Sequence, residues 1–455
     1  MSFRISRYFL YSSVFAIALV TTSTLFPFIV GKYSWFRSAV DFSLIFFLFG
    51  MLSENSAEGD RYLKRLWSVL KSPLGIAVSA FTAMFLLACA FGVNPANSFW
   101  SNFERGEGGL QILHLYLFFL LLATLFDDEK NWKILFYCIF GAALLSIGYG
   151  ILAGMKASNT IGPAFGEPSF RFQGSIGNPA YMATYLIFVL FYAFYAFFSE
   201  RQKELKSPKS IFLLFLVLVF AAFLFLAATR GAFLGLMGST LVFLCYVAFA
   251  NKRWRKWLLG AAAVLILFVG SMIALKDNPT VKKLPFARVF DISISAQTFG
   301  DRMEIWKMAW DGFKERPLLG VGPENFLYVF DHNFNPAYFK PPAQFGAWFD
   351  RAHSIIFDYL AEIGILGALA FFSIFGVFYL EFFRKNRRAG NSDNPSRLSL
   401  LPPAARALVF ALPVAYLVQG LVLFDILPTY LNLFIFFALA AYLFSPAPRQ
   451  IKNHE

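Results

Sequence analysis

Apolar runs of spanning length recur along the 455-residue chain, parted by short polar stretches. A hydrocarbon core about 30 Å thick needs roughly 20 residues of helix at 1.5 Å per residue. On that measure the pattern predicts twelve spans, at about residues 8–30, 35–52, 74–92, 110–126, 132–153, 179–198, 211–228, 232–250, 257–275, 355–381, 404–423 and 427–444. The fold class expected is all-α, a polytopic membrane protein. One run has to be divided. Ile211 to Ala250 carries a single charged side chain, Arg230, and as one helix would be roughly 60 Å long. It must fold back once, and Thr229-Arg230-Gly231 is its only polar break. Arginine is costly at a bilayer centre, so the turn sets Arg230 near a membrane surface.

The pattern also predicts where the chain leaves the membrane. Residues 1–275 hold nine spans, 276–353 form one long loop, and 354–455 hold three spans and a tail. The loop has ten basic, nine acidic and fifteen aromatic residues, which suits an ordered cap better than a linker. Within it "GDRMEIWKMAWDGFKERP" reads as a helix. Asp301 is expected to cap its start with Glu304 reaching back, and Pro317 to stop it. Ile305, Trp306, Ala309, Trp310 and Phe313 make the expected apolar stripe, and Arg302 falls in the first turn. The tract "RRAGNSDNPSR" (Arg387–Arg397) reads as a polar linker. No internal repeat is evident.

Composition sharpens the class. Hydrophobic residues make up 58% of the chain and charged ones 15%, with 60 phenylalanines, which excludes a soluble globule. Placing the N-terminus inside puts 24 basic residues in inner segments and six in short outer loops. The positive-inside rule therefore predicts that both termini are cytoplasmic and the cap outside. The formal charge of +13 is then mostly topology, and no nucleic-acid partner is implied. Cys89, Cys138 and Cys245 lie in spans without metal-ligand spacing, so neither disulfide nor metal is expected.

On the predicted outer face stand Arg171, Arg230 and Arg302, with His353 where the cap re-enters the membrane. Several arginines suit a polyanion, most simply a diphosphate, which their planar forks can grip in bidentate fashion. Histidine can take up a proton near neutral pH. Each has a plainer reading. Arg230 can be an interfacial anchor, Arg302 a partner of Glu304, and His353 a polar cap. Asp358 and Glu362, about 140° and 180° round a helix from His353, are read as packing residues. Asp425 is either structural or part of the site.

Four stretches carry a resemblance: "RFQGSIGNPAYMATYL", "ATRGAFLGL", "GDRMEIWKMAWDGFKERPLLGVGPENF" and "RAHSIIFDYLAEIGILG". In this order, with a large loop between the ninth and tenth spans, the chain resembles the O-antigen ligase and O-antigen polymerase family of bacterial membrane glycosyltransferases. The resemblance implies an all-helical enzyme of the inner membrane that moves a glycan from undecaprenyl diphosphate to an acceptor, with no metal, nucleotide or other cofactor. It implies that Arg230 and Arg302 bind the diphosphate, with Arg171 a weaker match on the donor side. His353 aligns with the histidine proposed to activate the acceptor hydroxyl, although Ser354 stands where asparagine is common. The implied partners are a lipid-linked oligosaccharide donor and an acceptor that is lipid A-core, another glycan or a protein. Ligase, polymerase and protein O-oligosaccharyltransferase differ in that acceptor, and a single large loop favours a ligase. A lipid-linked saccharide transporter is the rival from another class, and predicts midplane charges and repeated halves.

The orientation is testable directly. With the native cysteines removed, a cysteine at Asn335 is expected to react with an impermeant thiol reagent in intact spheroplasts, and one at Asn391 to stay unlabelled. The reverse pattern would invert the topology.

Overall fold

In a bilayer every backbone N–H and C=O must be satisfied within its own segment, and the apolar runs accordingly fold as helices. The computed structural model describes residues 1–52, 56–102, 104–158, 171–199, 207–282, 287–290, 297–336, 348–387 and 395–447. Among these there is no β-strand, and ten helices are long and apolar enough to cross a membrane. The two remaining predicted spans are shorter or broken. Gly109–Leu125 is a helix of 17 residues. The first run, expected at 8–30, is a helix over Ser2–Ser13 followed by a 3-10 turn over Val14–Ala18. The helix cannot continue into Thr21-Thr22-Ser23-Thr24 and Pro27, whose residues favour turns. The carbonyls freed at Ile17 and Leu19 accept from the buried Lys32 ammonium, at 2.9 Å for Ile17. Ser175 Oγ donates to Ile17 as well, at 2.7 Å.

The division at Arg230 is as expected. Helices Pro208–Leu226 and Arg230–Ala250 meet at a tight turn in which Ala228 takes a positive φ of 45°. Gly231 and Gly235 lie one helical turn apart on a face packed against helix Pro403–Gly420. A Cβ at Gly235 would stand 2.6 Å from the Ala415 carbonyl oxygen. Small residues at this spacing let membrane helices approach backbone to backbone.

The loops sort into two sets at opposite ends of the bundle, as alternating spans require. At one end Phe172 N–H donates to Leu226 O, Val93 N–H to Val321 O, and Leu427 N–H to the Glu107 carboxylate. At the other, Arg65 donates to Ala123 O and Phe126 O, and Arg406 to Asn386. The linker expected at Arg387–Arg397 lies largely outside the described residues, as do parts of the cap loop and His454.

The cap begins against the Arg230 helix, where Phe290 sits edge-on to Phe233 with ring centroids 5.2 Å apart. Its main helix spans Gln297–Glu315, four residues longer at the start than predicted. Asp301 is therefore inside the helix and not at its N-cap, and Arg302 falls in the second turn. A single exposed glycine, Gly300, costs only about 1 kcal/mol in a helix, too little to stop the extension. The apolar stripe is also turned. Ile305, Met308, Ala309 and Gly312 are buried, whereas Trp310 is exposed. The helix packs on a small core of Val321, Phe326, Val329, Phe330, Ala352 and Ala361.

That core rests on a broken span. Helix Ile355–Arg387 leaves helical geometry at Gly364, with φ 64° and ψ −173°. The groups freed by the break pair with the cap segment "PLLGVG". Val321 and Gly322 N–H donate to Ala361 and Glu362 O at 3.0 and 2.8 Å, and Ile365 N–H donates to Pro317 O at 2.8 Å. A Cβ at Gly364 would run into the Leu318 carbonyl. Gly364→Ala is thus expected to destabilise the protein by about 1–3 kcal/mol, through positive-φ strain and that clash. A lower unfolding temperature in detergent, with the cap more open to protease, is the expected reading.

Candidate functional site

His353 is held from every side. Its φ of 57° places it in the left-handed region, one residue before Ser354 and ahead of the span helix. Its neighbours are fixed individually. Ala352 N–H donates to Asp358 Oδ1 at 2.5 Å, and Ala352 O accepts from the Trp306 indole of the cap helix at 3.0 Å. Trp306 in turn stacks on Phe357 at 5.2 Å. The two carboxylates that helical spacing assigns to packing therefore anchor the His353 loop. The reason for the correction is that the helix starts only at Ile355, so a wheel drawn from His353 does not apply.

Arg351 is the residue at the centre of this loop, and sequence reading passed it over. It is buried, donating to Glu362 Oε2 at 2.6 Å and to Glu324 Oε1, with Glu107 Oε2 at 4.0 Å. Glu362 Oε1 also accepts from the Glu324 backbone N–H at 3.1 Å. Burial alone would depress the guanidinium, but Glu362, Asp358 and Glu107 together hold it above its ordinary range. Burial lifts Glu107 to about 8 against the pull of Arg351 and Arg105, so near neutral pH this carboxyl is mostly protonated. That proton limits the excess negative charge in the cluster.

His353 Nδ1 lies 3.1 Å from the Arg351 carbonyl, an oxygen that can only accept. That contact puts the proton on Nδ1 and leaves Nε2 with a free lone pair. The ring is packed edge-on between Phe349 and Phe424, at 5.3 and 5.1 Å. Phe424 also lies under the Arg105 guanidinium at 5.2 Å and beside Tyr181 at 5.5 Å. Arg105 grips Asp350 with two hydrogen bonds, of 2.7 and 3.0 Å. Arg105, Asp350 and Phe424 lie in three separate connecting segments, and no local pattern links them.

Of the predicted arginines, Arg302 acts on this histidine. Burial, and then the like charge of Arg230, hold Arg302 below the usual arginine range. Burial likewise pushes His353 below its ordinary value. The Arg351 carbonyl and Asp350 oppose that shift, while the charges of Arg302 and Arg105 add to it. Arg302 is thus within electrostatic reach of both Arg230 and His353. Arg171 has another task. Its Nε donates to Ala227 O at 3.3 Å and its Nη2 to Thr229 Oγ1 at 3.0 Å, so it braces the turn that presents Arg230. Asp425 accepts from Tyr416 and Tyr359 at 2.5 and 3.3 Å and sits directly after Phe424.

The other described histidines, His114 and His332, have separate partners. His114 bonds Leu110 O and Asp41 at 2.7 and 3.1 Å, and the exposed His332 stacks on Tyr328. Among the described residues, no group of three histidine, cysteine or acidic side chains is arranged to hold a metal ion.

Residues 213–372 match the family model described as O-antigen ligase. Over that stretch, about a third of its length, the chain is similar to the O-antigen ligase family. The matched stretch contains Arg230, Arg302, Arg351 and His353, and leaves Arg171 and the first six predicted spans outside. No curated protein matches the chain. The match supports a ligase-like or related glycosyltransferase activity in a membrane, and it falls on the part of the chain that holds His353 and its neighbours.

The electrostatics predict a measurable titration. In histidine-labelled protein, with His353→Gln assigning the signal, the NMR midpoint of His353 is expected below 6.5, the ordinary histidine value. Arg302→Gln removes a positive neighbour and is expected to move that midpoint upward. A midpoint that ignores the substitution would separate the two residues.

Proposed function

We propose that the chain transfers a glycan from undecaprenyl diphosphate to an acceptor hydroxyl at the outer face of the cytoplasmic membrane, in the manner of a ligase and with inversion. The observation that carries the reading is Arg302, whose charge acts on His353 and is itself acted on by Arg230. Two guanidinium groups close enough to feel each other's charge can both donate to one polyanion. A diphosphate supplies that anion, and its charge grows as the sugar–phosphate bond breaks, so the arginines stabilise the transition state more than the ground state.

In the proposed step the acceptor oxygen attacks the anomeric carbon from the face opposite the diphosphate. His353 Nε2 takes the hydroxyl proton, the new glycosidic bond forms, and the electron pair of the broken bond leaves with undecaprenyl diphosphate. The depressed histidine keeps its base form at neutral pH. Arg171, Trp306 and Arg351 act on the site by positioning its turn and loop. The acceptor, whether lipid A-core, a growing glycan or a protein, is the part that distinguishes ligase from polymerase and from protein O-oligosaccharyltransferase.

Purified protein incubated with lipid-diphosphate-linked glycan and each acceptor separately tests the reading. His353→Ala is expected to reduce transfer by about 10²- to 10⁴-fold, the usual contribution of a general base, with donor binding retained. Arg302→Lys is expected to remain inactive, because an ammonium does not reproduce the bidentate fork. Arg230→Ala is expected to lose donor binding. A well-folded His353→Gln with full activity would place the base elsewhere.

A further inference from the structure

The opposite end of the bundle holds a second gathering of cations that the proposed transfer does not use. Helix Ser56–Leu70 is strongly amphipathic and carries Arg61, Lys64 and Arg65 on one face, three and four residues apart. Lys385 near the end of the kinked span and Arg397 beyond the linker join them around a cavity of about 610 Å³. Asp127 and Glu381 are the acids in its wall, so five cations face two carboxylates. The helix from Pro73 to Phe91 runs from this cavity to the cap, where Arg316 donates to Phe91 O. The cavity is therefore a full span away from His353.

The cations are held in place by the fold. Arg65 donates to Ala123 O and Phe126 O at 2.9 and 3.0 Å, and Arg397 to Pro446 O at 2.7 Å while lying over the Tyr442 ring at 4.6 Å. Arg61 pairs with Asp127. Burial, and then the like charges of Arg397 and Arg61, lower Arg65 to about 10. Topology alone asks only for basic residues scattered along inner segments. Here three segments distant in sequence converge on one cavity, which also has the Ser68 and Ser72 hydroxyls and an apolar side at Leu74 and Phe444.

We propose that this cavity binds the phosphate of an anionic membrane lipid, with Lys64 and Lys385 as its adjustable donors and the arginines as its fixed ones. Phosphate oxygens accept from guanidinium and ammonium groups together, and the apolar side lies where the acyl chains of such a lipid would run. The inference is independent of the transfer reaction.

Native mass spectrometry of the full chain in detergent tests it, with dioleoylphosphatidylglycerol and dioleoylphosphatidylcholine added in separate titrations. One phosphatidylglycerol is expected to be retained well beyond phosphatidylcholine. The exposed Lys64 and half-buried Lys385 can both be changed to glutamine without removing buried groups. The double variant is expected to bind phosphatidylglycerol roughly 30-fold more weakly, as loss of two charges at a membrane surface implies. A parallel titration with inorganic phosphate separates the sources. Displacement of the lipid by millimolar phosphate would assign the same site to a soluble phosphate. Equal retention of the two lipids without any phosphate effect, or a selectivity that the double variant leaves unchanged, would overturn the proposal.

Discussion

The buried Arg351 is the group on which the candidate site depends. Its guanidinium joins Glu324 of the cap and Glu362 of the kinked span, with Glu107 of a third segment within 4.0 Å. Its carbonyl, on the same residue, faces the ring nitrogen of His353. One side chain thus sets the cap, the span and the histidine relative to one another. A buried charge of this kind is stable only when its partners are all present, and removal of one typically costs about 3–5 kcal/mol. The ring position of His353 and the seating of the cap are therefore coupled.

The break at Gly364 makes that coupling possible. A continuous span would keep the Ala361 and Glu362 carbonyls inside its own ladder and offer the cap nothing but side chains. The positive φ of glycine releases them to Val321 and Gly322, and the Pro317 and Leu318 carbonyls return the bonds to Ile365 and Leu366. Non-helical backbone at the edge of a membrane is tolerated where protein covers it, and here the cap is the cover. The same pairing carries Glu324 to within reach of Arg351.

Electrostatic frustration marks both ends of the molecule. Arg302 lies within electrostatic range of Arg230 and of His353, and Arg65 within range of Arg61 and Arg397 at the far end. Well-packed interiors normally pair their charges. At the first end a histidine, His353, lies within range of the Arg302 charge. At the second there is a cavity with an apolar side, which suits retention.

The sequence by itself determined the class, the helix count to within the two short or broken runs, the hairpin at Arg230, and the identity of Arg230, Arg302 and His353 as candidates. These are local matters of run length, polar interruption and residue chemistry, and hydrophobic periodicity reports them faithfully. Tertiary structure alone decided that Arg302 lies within electrostatic range of both Arg230 and His353, that Arg171 braces a turn, and that Asp358 and Glu362 hold a loop. It also decided the role of Arg351, whose place two residues before His353 was the one available signal, and of Arg105, Glu107 and Phe424, for which there was none. Helical spacing could not find them, because each lies in a non-helical connection where no period relates side-chain direction to position. Their meeting depends on how the spans pack and on where one glycine breaks a helix, and those are properties of contacts between segments hundreds of residues apart.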